Sequence, residues 1–592
     1  LKPFWLMAAP PPTPMVPMVD LLEHPPKRRK TTAEDEEMTV FPRVWAAKYL
    51  EKSGVAKDKL DEAAADSRNN PLRVWGACEG MGTSAYAMRK VSEVTGIEHE
   101  LMFSSELLEG PRDFCLRHHG WQHFFTDVTE DACGGYCHVC ERKHEEGVAF
   151  GETEMAVMGI PCPLFSVLNQ KTKHPGWNPF LEPSSSVVRV CLQKIRARQP
   201  KTFVIEEVAS LLKRFEEPVQ LHEDSEIYAA PIDVFLRGRA GDQVLGIMCE
   251  LDGGKFYHVK VLVLKSSDFG SPNHRRRCYI LGVRNDIGDE RTLRKLGHWI
   301  QKECASVHRR CTLTQCWDYC VRSGSTLSMP GYSRDQGYKS KESEKKQKSL
   351  LRDLDVAPGG WGPYCRTMSR QDRGMLNTRE KVKLDVEFRR MEVAGVDPRD
   401  AYVDVARSSI NAMGSYPRGL GAAFCCQMKL WHLGRHNFLP AEALLAAQGI
   451  DCRDMVYTER DYRLYNLLAG NSMTSSVVGA CCMGLTLAFL AKDAEGRPLM
   501  SLDADMGSES ASSSPCDYDE SSSSSSDGEY GEVGEETPTG IGLAVANATD
   551  LPRSPSDSLG ASTARLSEFK ETDAEAMDSG SSSSSAEDGE TP

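Results

Sequence analysis

A cysteine held between two prolines is the feature of this 592-residue sequence that points most directly to chemistry. The stretch GIPCPLFSVLN (residues 159–169) places Cys162 between Pro161 and Pro163. Each proline fixes its own φ angle and removes an N–H donor, so the loop is stiff. A stiff loop can hold a nucleophilic thiol at one point in space. A rigid turn without a catalytic role would have the same sequence.

Glycines in an earlier turn indicate a ligand-binding crevice. The apolar run LRVWGA (72–77) leads into a predicted turn that contains Glu79, Gly80, Met81 and Gly82. Glycine lets the backbone approach a ligand closely, although an ordinary tight turn uses the same residues. The next strand-like run ends at Glu106, and a third piece, HFFTDVTE, ends near Asp127. An acidic residue in the place of Glu106 binds ribose hydroxyls in nucleotide-binding α/β folds, so a cofactor with an adenosine moiety is predicted.

Five sequence blocks together resemble the cytosine-C5 DNA/RNA methyltransferases. GIPCPLFSVLN is similar to the family's Pro-Cys-x-x-Phe-Ser loop, and FVIEEV (203–208) to its strand ending in Glu-Asn-Val. SSDFGSPNHRRRCYILGVR (266–284) resembles the Asp-x-Gly-x-Pro-Gln-x-Arg-x-Arg block. FLPAEALLAAQGI (438–450) resembles the block that ends in Gln-Gly-Phe, and LAGNSMTSSVVGA (468–480) the closing Gly-Asn-Ser block. Because the blocks follow the family's order, the chain is identified as a divergent, eukaryotic-type member that depends on S-adenosylmethionine.

The resemblance implies a mechanism and assigns residues to it. Cytosine C5 becomes nucleophilic once a thiolate has added to C6, and the resemblance assigns that thiolate to Cys162. Glu206 would protonate N3, while Arg275 and Arg277, two apart on an extended segment, would bind the base O2 and a phosphate from one face. The nucleotide must be flipped out of a duplex to be reached. The residues predicted to bind S-adenosylmethionine are Glu79, Gly80, Met81, Gly82, Glu106, Asp127, Pro161, Asn471 and Ser472.

Three positions depart from the family pattern. Cys78 stands where the family usually has a Phe at the adenine, Glu207 replaces the Asn of Glu-Asn-Val, and Asn273 replaces a longer Gln. Glu207 would point to the face of its strand opposite Glu206. The sequence predicts a DNA cytosine-C5 methyltransferase. An RNA (tRNA) cytosine-C5 methyltransferase and a catalytically inactive, nucleic-acid-binding homologue are the alternatives.

A cysteine-rich segment, CGGYCHVCERKH, precedes the catalytic loop. Its Cys133, Cys137, Cys140 and His144 have a spacing that could hold Zn²⁺, although a cysteine-rich loop without metal would look the same. We predict no metal site and keep these four residues as the zinc candidates.

The strands and helices that must position these residues are predicted to alternate along the chain. Strand-like runs such as HELMFSSE, KTFVIEEV and FYHVKVLVLKS alternate with helix-like stretches from about residue 40 to 293. This alternation predicts a mostly parallel sheet, here a Rossmann-like methyltransferase fold with a smaller target-recognition region and disordered termini.

Composition divides the chain into five predicted segments. These are a disordered N-terminal segment with a basic cluster (1–40), a catalytic α/β domain (41–293), a target-recognition region with a lysine-rich loop (294–430), C-terminal motifs that return to the catalytic domain (431–493), and a disordered acidic, serine-rich tail (494–592). The last segment is too poor in apolar residues to build a core.

Charge is distributed unevenly along the chain. Residues 501–592 contain 21 acidic and 3 basic residues, a net charge of −18, so the remainder carries +4 of the total of −14. A mildly basic body fits a polyanionic partner, DNA or alternatively RNA, and the acidic tail is a candidate surface for protein partners.

Targeting signals favour an intracellular, nuclear protein. PPKRRK (25–30) is a cluster of nuclear-import type. The first residues are apolar but broken by prolines, which is not typical of a secretory signal, and no long apolar run predicts a membrane span. The 20 cysteines are therefore expected to be reduced. The sequence begins with Leu rather than Met, so a fragment is one interpretation.

Overall fold

The computed structural model describes most of the chain between residues 41 and 502. The described residues are 41–130, 135–144, 152–166, 179–181, 185–215, 218–221, 226–240, 243–244, 246–247, 256–324, 345, 349, 352, 362–406, 415–417, 419–420, 424, 428–455 and 462–502. The basic cluster at 25–30, most of the lysine-rich loop and the chain beyond residue 502 lie outside these residues.

One large sheet organises the N-terminal part of the described chain. Its strands are β1 (Leu72–Ala77), β2 (His99–Ser105), β3 (His123–Phe125), β4 (Tyr136–Cys137), β5 (Arg142–Lys143), β6 (Met155–Gly159), β7 (Thr202–Val208), β12 (Tyr257–Lys265) and β13 (Arg276–Arg284). Between β7 and β12 come the short strands β8 (Val219–Gln220), β9 (Ile227–Tyr228), β10 (Arg239–Ala240) and β11 (Gln243–Val244). The order in the large sheet is β12-β13-β7-β6-β1-β2-β3-β4-β5.

The direction of these strands gives the fold class. The five strands from β7 to β3 are parallel to one another, whereas β12 and β13 at one end and β4 and β5 at the other are antiparallel. The predicted Rossmann-like α/β fold is therefore confirmed. Strand order reverses between β1 and β6, and in such sheets ligands bind beyond the carboxyl ends of the strands at that reversal.

Helices cover the sheet and supply most of the large core. They are α1 (Phe41–Ser53), α2 (Lys57–Ser67), α3 (Thr83–Thr95), α4 (Glu109–His118), α5 (Ser186–Arg198), α6 (Pro231–Arg237), α7 (Glu290–Trp299), α8 (Leu313–Arg322), α12 (Ala441–Ala447), α13 (Tyr462–Asn471) and α14 (Ser475–Leu485). Every residue of α14 is buried, as expected for a helix that is apolar all round. It packs on α3 and α1, and a Cβ at Gly479 would overlap Trp45 of α1.

A second, smaller core joins part of the region predicted to recognise the target (294–430) to residues beyond that predicted end, including Trp431 and Phe438. It joins the helices α9 (Pro363–Thr367), α10 (Arg370–Gly374) and α11 (Thr378–Val393) to a sheet of β14 (Ala401–Asp404), β15 (Ser415–Pro417), β16 (Leu430–His432) and β17 (Asn437–Phe438). The Trp431 indole N–H donates to the Tyr364 hydroxyl (2.8 Å), which donates to the Leu433 carbonyl (2.9 Å). These buried bonds tie helix to sheet.

Two predicted boundaries can be compared with the structure. The boundary at 293/294 falls inside α7, whose Leu293 and Leu296 are buried in the large core. The disordered tail was predicted to begin at 494, which is too early. Leu499 and Met500 are buried, and the Met500 N–H donates to the Leu487 carbonyl at 2.9 Å. Apolar side chains at 499 and 500 anchor this segment even though its flanks are polar.

Among the described residues, no single helix has the length and apolar character needed to cross a membrane. The pair Leu464–Asn471 and Ser475–Leu490, bent by 48°, meets those criteria only when the two are taken together.

Candidate active site

The cysteine loop leaves the carboxyl end of β6. A single turn of 3₁₀ helix, Cys162–Leu164, follows Pro161. The amides of Phe165 (3.0 Å) and Ser166 (3.1 Å) donate to the Cys162 carbonyl, and the Cys162 thiol donates to the Ile160 carbonyl (3.6 Å). These bonds, together with the φ restriction of Pro161, fix the half-buried thiol at the end of the strand.

An aromatic cluster supports the loop from below. The Phe165 ring lies 5.6 Å from both Phe180 and Phe235. The Ser210 hydroxyl also donates to the Phe165 carbonyl. Packing beneath the loop therefore restrains the position of Cys162 from the side opposite the solvent.

Glu206 and the two predicted arginines meet beside this loop. Gly159 of β6 pairs with Glu206 of β7, so Cys162 follows the strand immediately next to the carboxylate. Glu206 Oε1 lies 3.1 Å from Arg277 Nε and 3.5 Å from Arg275 Nη2. The alternation predicted for the arginines is observed: Arg275 is buried and Arg277 is largely so, whereas Arg276 is exposed.

Glu207 has a different set of neighbours. We expected it to point away from Glu206, and its neighbours do differ, but they include Cys162. Burial raises the pKa of Glu207 to about 8, and a hydrogen bond from the Val208 N–H (2.9 Å) only partly opposes this effect. A buried carboxyl therefore adjoins the thiol where the family pattern has a neutral amide.

The charges around Cys162 act in opposite directions. Burial, followed by the carboxyl groups of Glu207 and Glu206, raises the pKa of the Cys162 thiol, while Arg277 and Arg275 lower it. A thiolate is the nucleophilic form. The arginines are thus the groups in this site that favour the reactive state of the cysteine.

The glycine turn and Glu106 form one unit at the ends of β1 and β2. The Gly80 N–H donates to Glu106 Oε2 (2.8 Å), and the Leu108 N–H donates to Oε1 (3.0 Å). Gly80 and Gly82 have φ values of 59° and 76°, a region that glycine adopts without steric cost. A Cβ on Gly82 would overlap the His119 ring, so the turn needs glycine there for two reasons.

Not every residue predicted at the cofactor turns its side chain to the crevice. Glu79 is buried and accepts a hydrogen bond from the Ser84 hydroxyl (2.6 Å), and burial raises its pKa to about 8. The Met81 side chain is also buried in the core. Asp127 lies two residues beyond β3, where its carboxylate accepts from the Thr129 amide (2.8 Å).

His119 is a supporting residue that sequence reasoning missed. Its Nε2–H donates to the Met81 carbonyl (2.9 Å) from beneath the turn, and burial lowers its pKa to about 3, so it is neutral. No motif marks His119, because its contact with the turn depends on how α4 packs.

Residues of the two C-terminal sequence blocks, 438–450 and 468–480, lie close to Gly80 and to the Glu206 ion pair. The Arg275 guanidinium donates to the Gly470 carbonyl (2.9 Å), which connects the Glu206 ion pair to the end of α13. Asn471 ends this helix near Gly80, and Ser472 is buried with its hydroxyl donating to the Ala469 carbonyl (3.2 Å). The Gln448 side chain donates to the Ala469 carbonyl (2.8 Å) and accepts from Thr474 (2.9 Å).

The other two departures also have visible consequences. Cys78 adopts a left-handed φ of 55°, and its pKa is raised first by a hydrogen bond to Cys191 and then by burial. The Asn273 amide is fully buried, and neither its oxygen nor its nitrogen has a protein partner among the described residues. A side chain one methylene shorter does not reach one.

Three of the four zinc candidates lie together. Cys137, Cys140 and His144 converge, and the fourth side chain beside them is His123. Cys133 lies outside the described residues.

Comparison with known proteins matches part of the chain to one family model. Residues 138–309 match the family model of C-5 cytosine-specific DNA methylases. In this region the chain is similar to the cytosine-C5 methyltransferases. The matched region contains Cys162, Glu206, Arg275 and Arg277, whereas the glycine turn and the closing block lie outside it.

Individual relatives are similar at a distance. The Orphan methyltransferase M.Rho11sI of Bacillus phage rho11s is 25% identical over 218 residues, 36% of this chain and 34% of the phage protein. The Orphan methyltransferase M.SPRI of Bacillus phage SPR is 24% identical over 217 residues, 36% of this chain and 38% of that protein. The chain thus matches little more than a third of the length of these curated relatives. The solved S. pombe Dnmt2 methyltransferase is 14% identical with a TM-score of 0.33, covering 70% of this chain and 98% of that one.

Proposed function

We propose that the protein is a DNA cytosine-C5 methyltransferase that uses a covalent bond between Cys162 Sγ and C6 of a flipped-out cytosine. The observation that carries the proposal is the convergence of Cys162 with the Glu206–arginine cluster at the adjoining ends of β6 and β7. A thiol, a carboxyl group and two guanidiniums are the groups that addition to a cytosine ring requires.

S-adenosylmethionine fits the crevice at the ends of β1 and β2. Both Glu106 oxygens accept one backbone N–H each, and a carboxylate oxygen has further capacity for ribose hydroxyls. The backbone at Gly80 is open, because a Cβ added there would meet only the Asn471 carbonyl at 3.9 Å. Bound in this crevice, the cofactor supplies an electrophilic methyl group to C5 of the base.

The residues of the chain then have defined tasks. The Cys162 thiolate forms a bond to C6, and Glu206 donates a proton to N3 as electron density moves there. Arg275 and Arg277 hold Glu206 and offer donors to the base and its phosphate. After C5 is methylated, a base removes the C5 proton. The C5–C6 double bond re-forms, Cys162 leaves as a thiolate and N3 returns its proton to Glu206, so the enzyme is regenerated.

The nucleic-acid partner is supported by charge. The body of the chain, residues 1–500, has a net charge of +4, and Arg276 is exposed next to the site. Basic side chains near a base-binding pocket attract phosphates. We further propose that the protein acts in the nucleus, where the PPKRRK cluster would direct it.

Methyl transfer to matched DNA and RNA oligonucleotides tests this proposal. We expect labelled methyl groups on DNA cytosine, and covalent trapping on an oligonucleotide that carries 5-fluorocytosine. Cys162→Ala should abolish both and retain S-adenosylmethionine binding. Cys365→Ala, which removes a buried thiol of the small core, should keep both activities.

Three outcomes would contradict the proposal. Transfer to RNA alone would identify the RNA enzyme. Cofactor and DNA binding without transfer to either substrate would identify an inactive homologue. Trapping that persists in Cys162→Ala would mean that another residue is the nucleophile.

A further inference from the structure

Four metal-binding side chains from separate elements converge at the edge of the large sheet. His123 begins β3, Cys137 lies in β4, Cys140 lies in the turn that follows, and His144 comes directly after β5. One ligand atom from each lies within 4.8 Å of every other. We call these four residues the edge cluster.

Distances within the edge cluster suit a tetrahedral Zn²⁺ ion. The Nδ1 atom of His123 lies 3.2 Å from Cys140 Sγ and 3.8 Å from Cys137 Sγ. With Zn–S bonds of about 2.3 Å and Zn–N bonds of about 2.0 Å, a tetrahedral site separates sulfur and nitrogen ligands by about 3.5 Å. Only small side-chain shifts would place all four atoms on one ion.

The turn between the cysteines has the conformation that such a site needs. The Cys140 N–H donates to Cys137 Sγ (3.4 Å), which closes the turn between the two cysteines. Glu141 then adopts a φ of 53°, a left-handed conformation that is uncommon for glutamate. The backbone thus folds tightly and brings Cys140 back towards His123.

The hairpin that carries the edge cluster is short, and a hydrogen bond from the His138 N–H to the Phe124 carbonyl (2.8 Å) joins it to β3. Strands β4 and β5 contain two residues each, and hairpins of this kind are marginal without further packing. The side chains of Tyr136 and Val139 are 42% and 43% exposed, so they contribute little burial. Metal binding can supply folding free energy where a small element lacks a core.

We propose that His123, Cys137, Cys140 and His144 bind a structural Zn²⁺ ion that fastens the β4–β5 hairpin to β3. Two thiolates balance the charge of the ion, and two neutral imidazoles complete four protein ligands. The site is closed rather than catalytic, because no coordination position is left for substrate. It fixes the hairpin against β3, whose carboxyl end leads to Asp127.

Metal analysis of the full-length protein tests the proposal. We expect about one Zn²⁺ per chain to remain bound after dialysis against a weak chelator. When Co²⁺ replaces the zinc, the protein should show the absorption spectrum of a tetrahedral site with two thiolate ligands. Cys140→Ser should lose the metal, whereas Cys140→His, which restores a ligand, should retain it. His138→Asn is the matched control: His138 lies in the same turn, but its ring bonds to Thr126 (2.8 Å).

Other results would overturn the assignment. Protein reconstituted with Zn²⁺ that stays metal-free would show that the edge cluster is held by a thiol–imidazole hydrogen bond alone. Stoichiometric zinc in Cys140→Ser, or a cobalt spectrum without thiolate charge transfer, would place the metal elsewhere. Circular dichroism of each variant separates metal loss from unfolding, and the cobalt spectrum of the wild type needs no variant. All readouts are independent of methyl transfer.

Discussion

At the scale of single residues, folding changes the protonation of Glu207, a carboxyl group next to the thiol of Cys162. It is fully buried beside Cys162, and burial raises its pKa from the ordinary 4.5 to about 8. Below pH 4.5 the carboxyl is neutral in both folded and unfolded chains. Between pH 4.5 and about 8 the folded state keeps a proton that the unfolded state releases, so folding stability falls as pH rises.

Glu207→Gln should remove this pH dependence. As pH rises from 4.5 to 8, the free energy of unfolding of the wild type should fall relative to that of the variant. The expected slope, on the order of 1.4 kcal/mol per pH unit, is that for the release of one proton. Urea unfolding at a series of pH values measures the difference. Parallel stability curves for the two proteins would mean that Glu207 ionises normally in the fold. Glu79→Gln is the matched comparison, because Glu79 has a similarly raised pKa away from the thiol.

Glu207→Gln should also change the pKa and the reactivity of the Cys162 thiol. Because the Glu207 carboxyl raises the pKa of Cys162, a neutral amide should lower it and speed alkylation of Cys162 by iodoacetamide near pH 8 to 9. Mass spectrometry of the Cys162 peptide follows the rate, and Glu79→Gln should leave it unchanged. Equal rates in wild type and Glu207→Gln would remove Glu207 from the electrostatics of the nucleophile.

At the scale of elements, the turn between β1 and α3 is held by backbone conformation rather than by side chains. Gly82 has a φ of 76°, and any Cβ there meets His119. Gly82→Ala should therefore incur a left-handed backbone penalty of roughly 1–2 kcal/mol and also displace His119 from the Met81 carbonyl. The turn would shift, and S-adenosylmethionine affinity should fall at least 10-fold by calorimetry.

A second glycine separates these two effects. Gly54→Ala carries a similar φ of 66°, but its Cβ meets nothing within 4 Å. It should cost comparable stability and leave cofactor affinity unchanged. Equal affinity loss in both variants would indicate general destabilisation rather than displacement of the turn.

At the scale of the whole molecule, the long-range charge is set by the acidic segment beyond the described residues. Residues 503–592 carry 21 acidic and 3 basic residues, so a chain that ends at Leu502 changes from a net charge of −14 to +4. Leu502 is the proper end point, because an end at residue 493 would remove the buried Leu499 and Met500. We expect the shortened chain to bind non-specific DNA more tightly at low salt, and the two affinities to converge as salt screens the charge.

A salt titration of DNA binding measures this effect. A full-length chain with the acidic residues of 503–592 replaced by their amides keeps the length and should behave like the shortened chain. Overlapping affinities of the wild-type and shortened chains at low salt would show that the tail does not influence DNA binding.

The sequence by itself determined the architecture and the members of the central site. Strand-like runs such as 72–77 and 202–208 alternate with helix-like stretches, and this alternation predicts the parallel sheet. Alternation along an extended chain placed Arg275 and Arg277 on one face. The order of the sequence motifs linked Cys162 to Glu206.

Only the tertiary structure decided what lies beyond the ends of the strands. Alternation predicts that Glu207 faces away from Glu206, but it does not reveal that the loop after β6 brings Cys162 to that face. The spacing of cysteine and histidine residues indicated Cys137, Cys140 and His144 but not His123. His123 lies 14 residues before Cys137 and joins the other three because β4 pairs with β3. Such contacts are non-local, because they depend on which strands become neighbours in the sheet. A sequence pattern along one strand or helix carries no information about the element that packs against it.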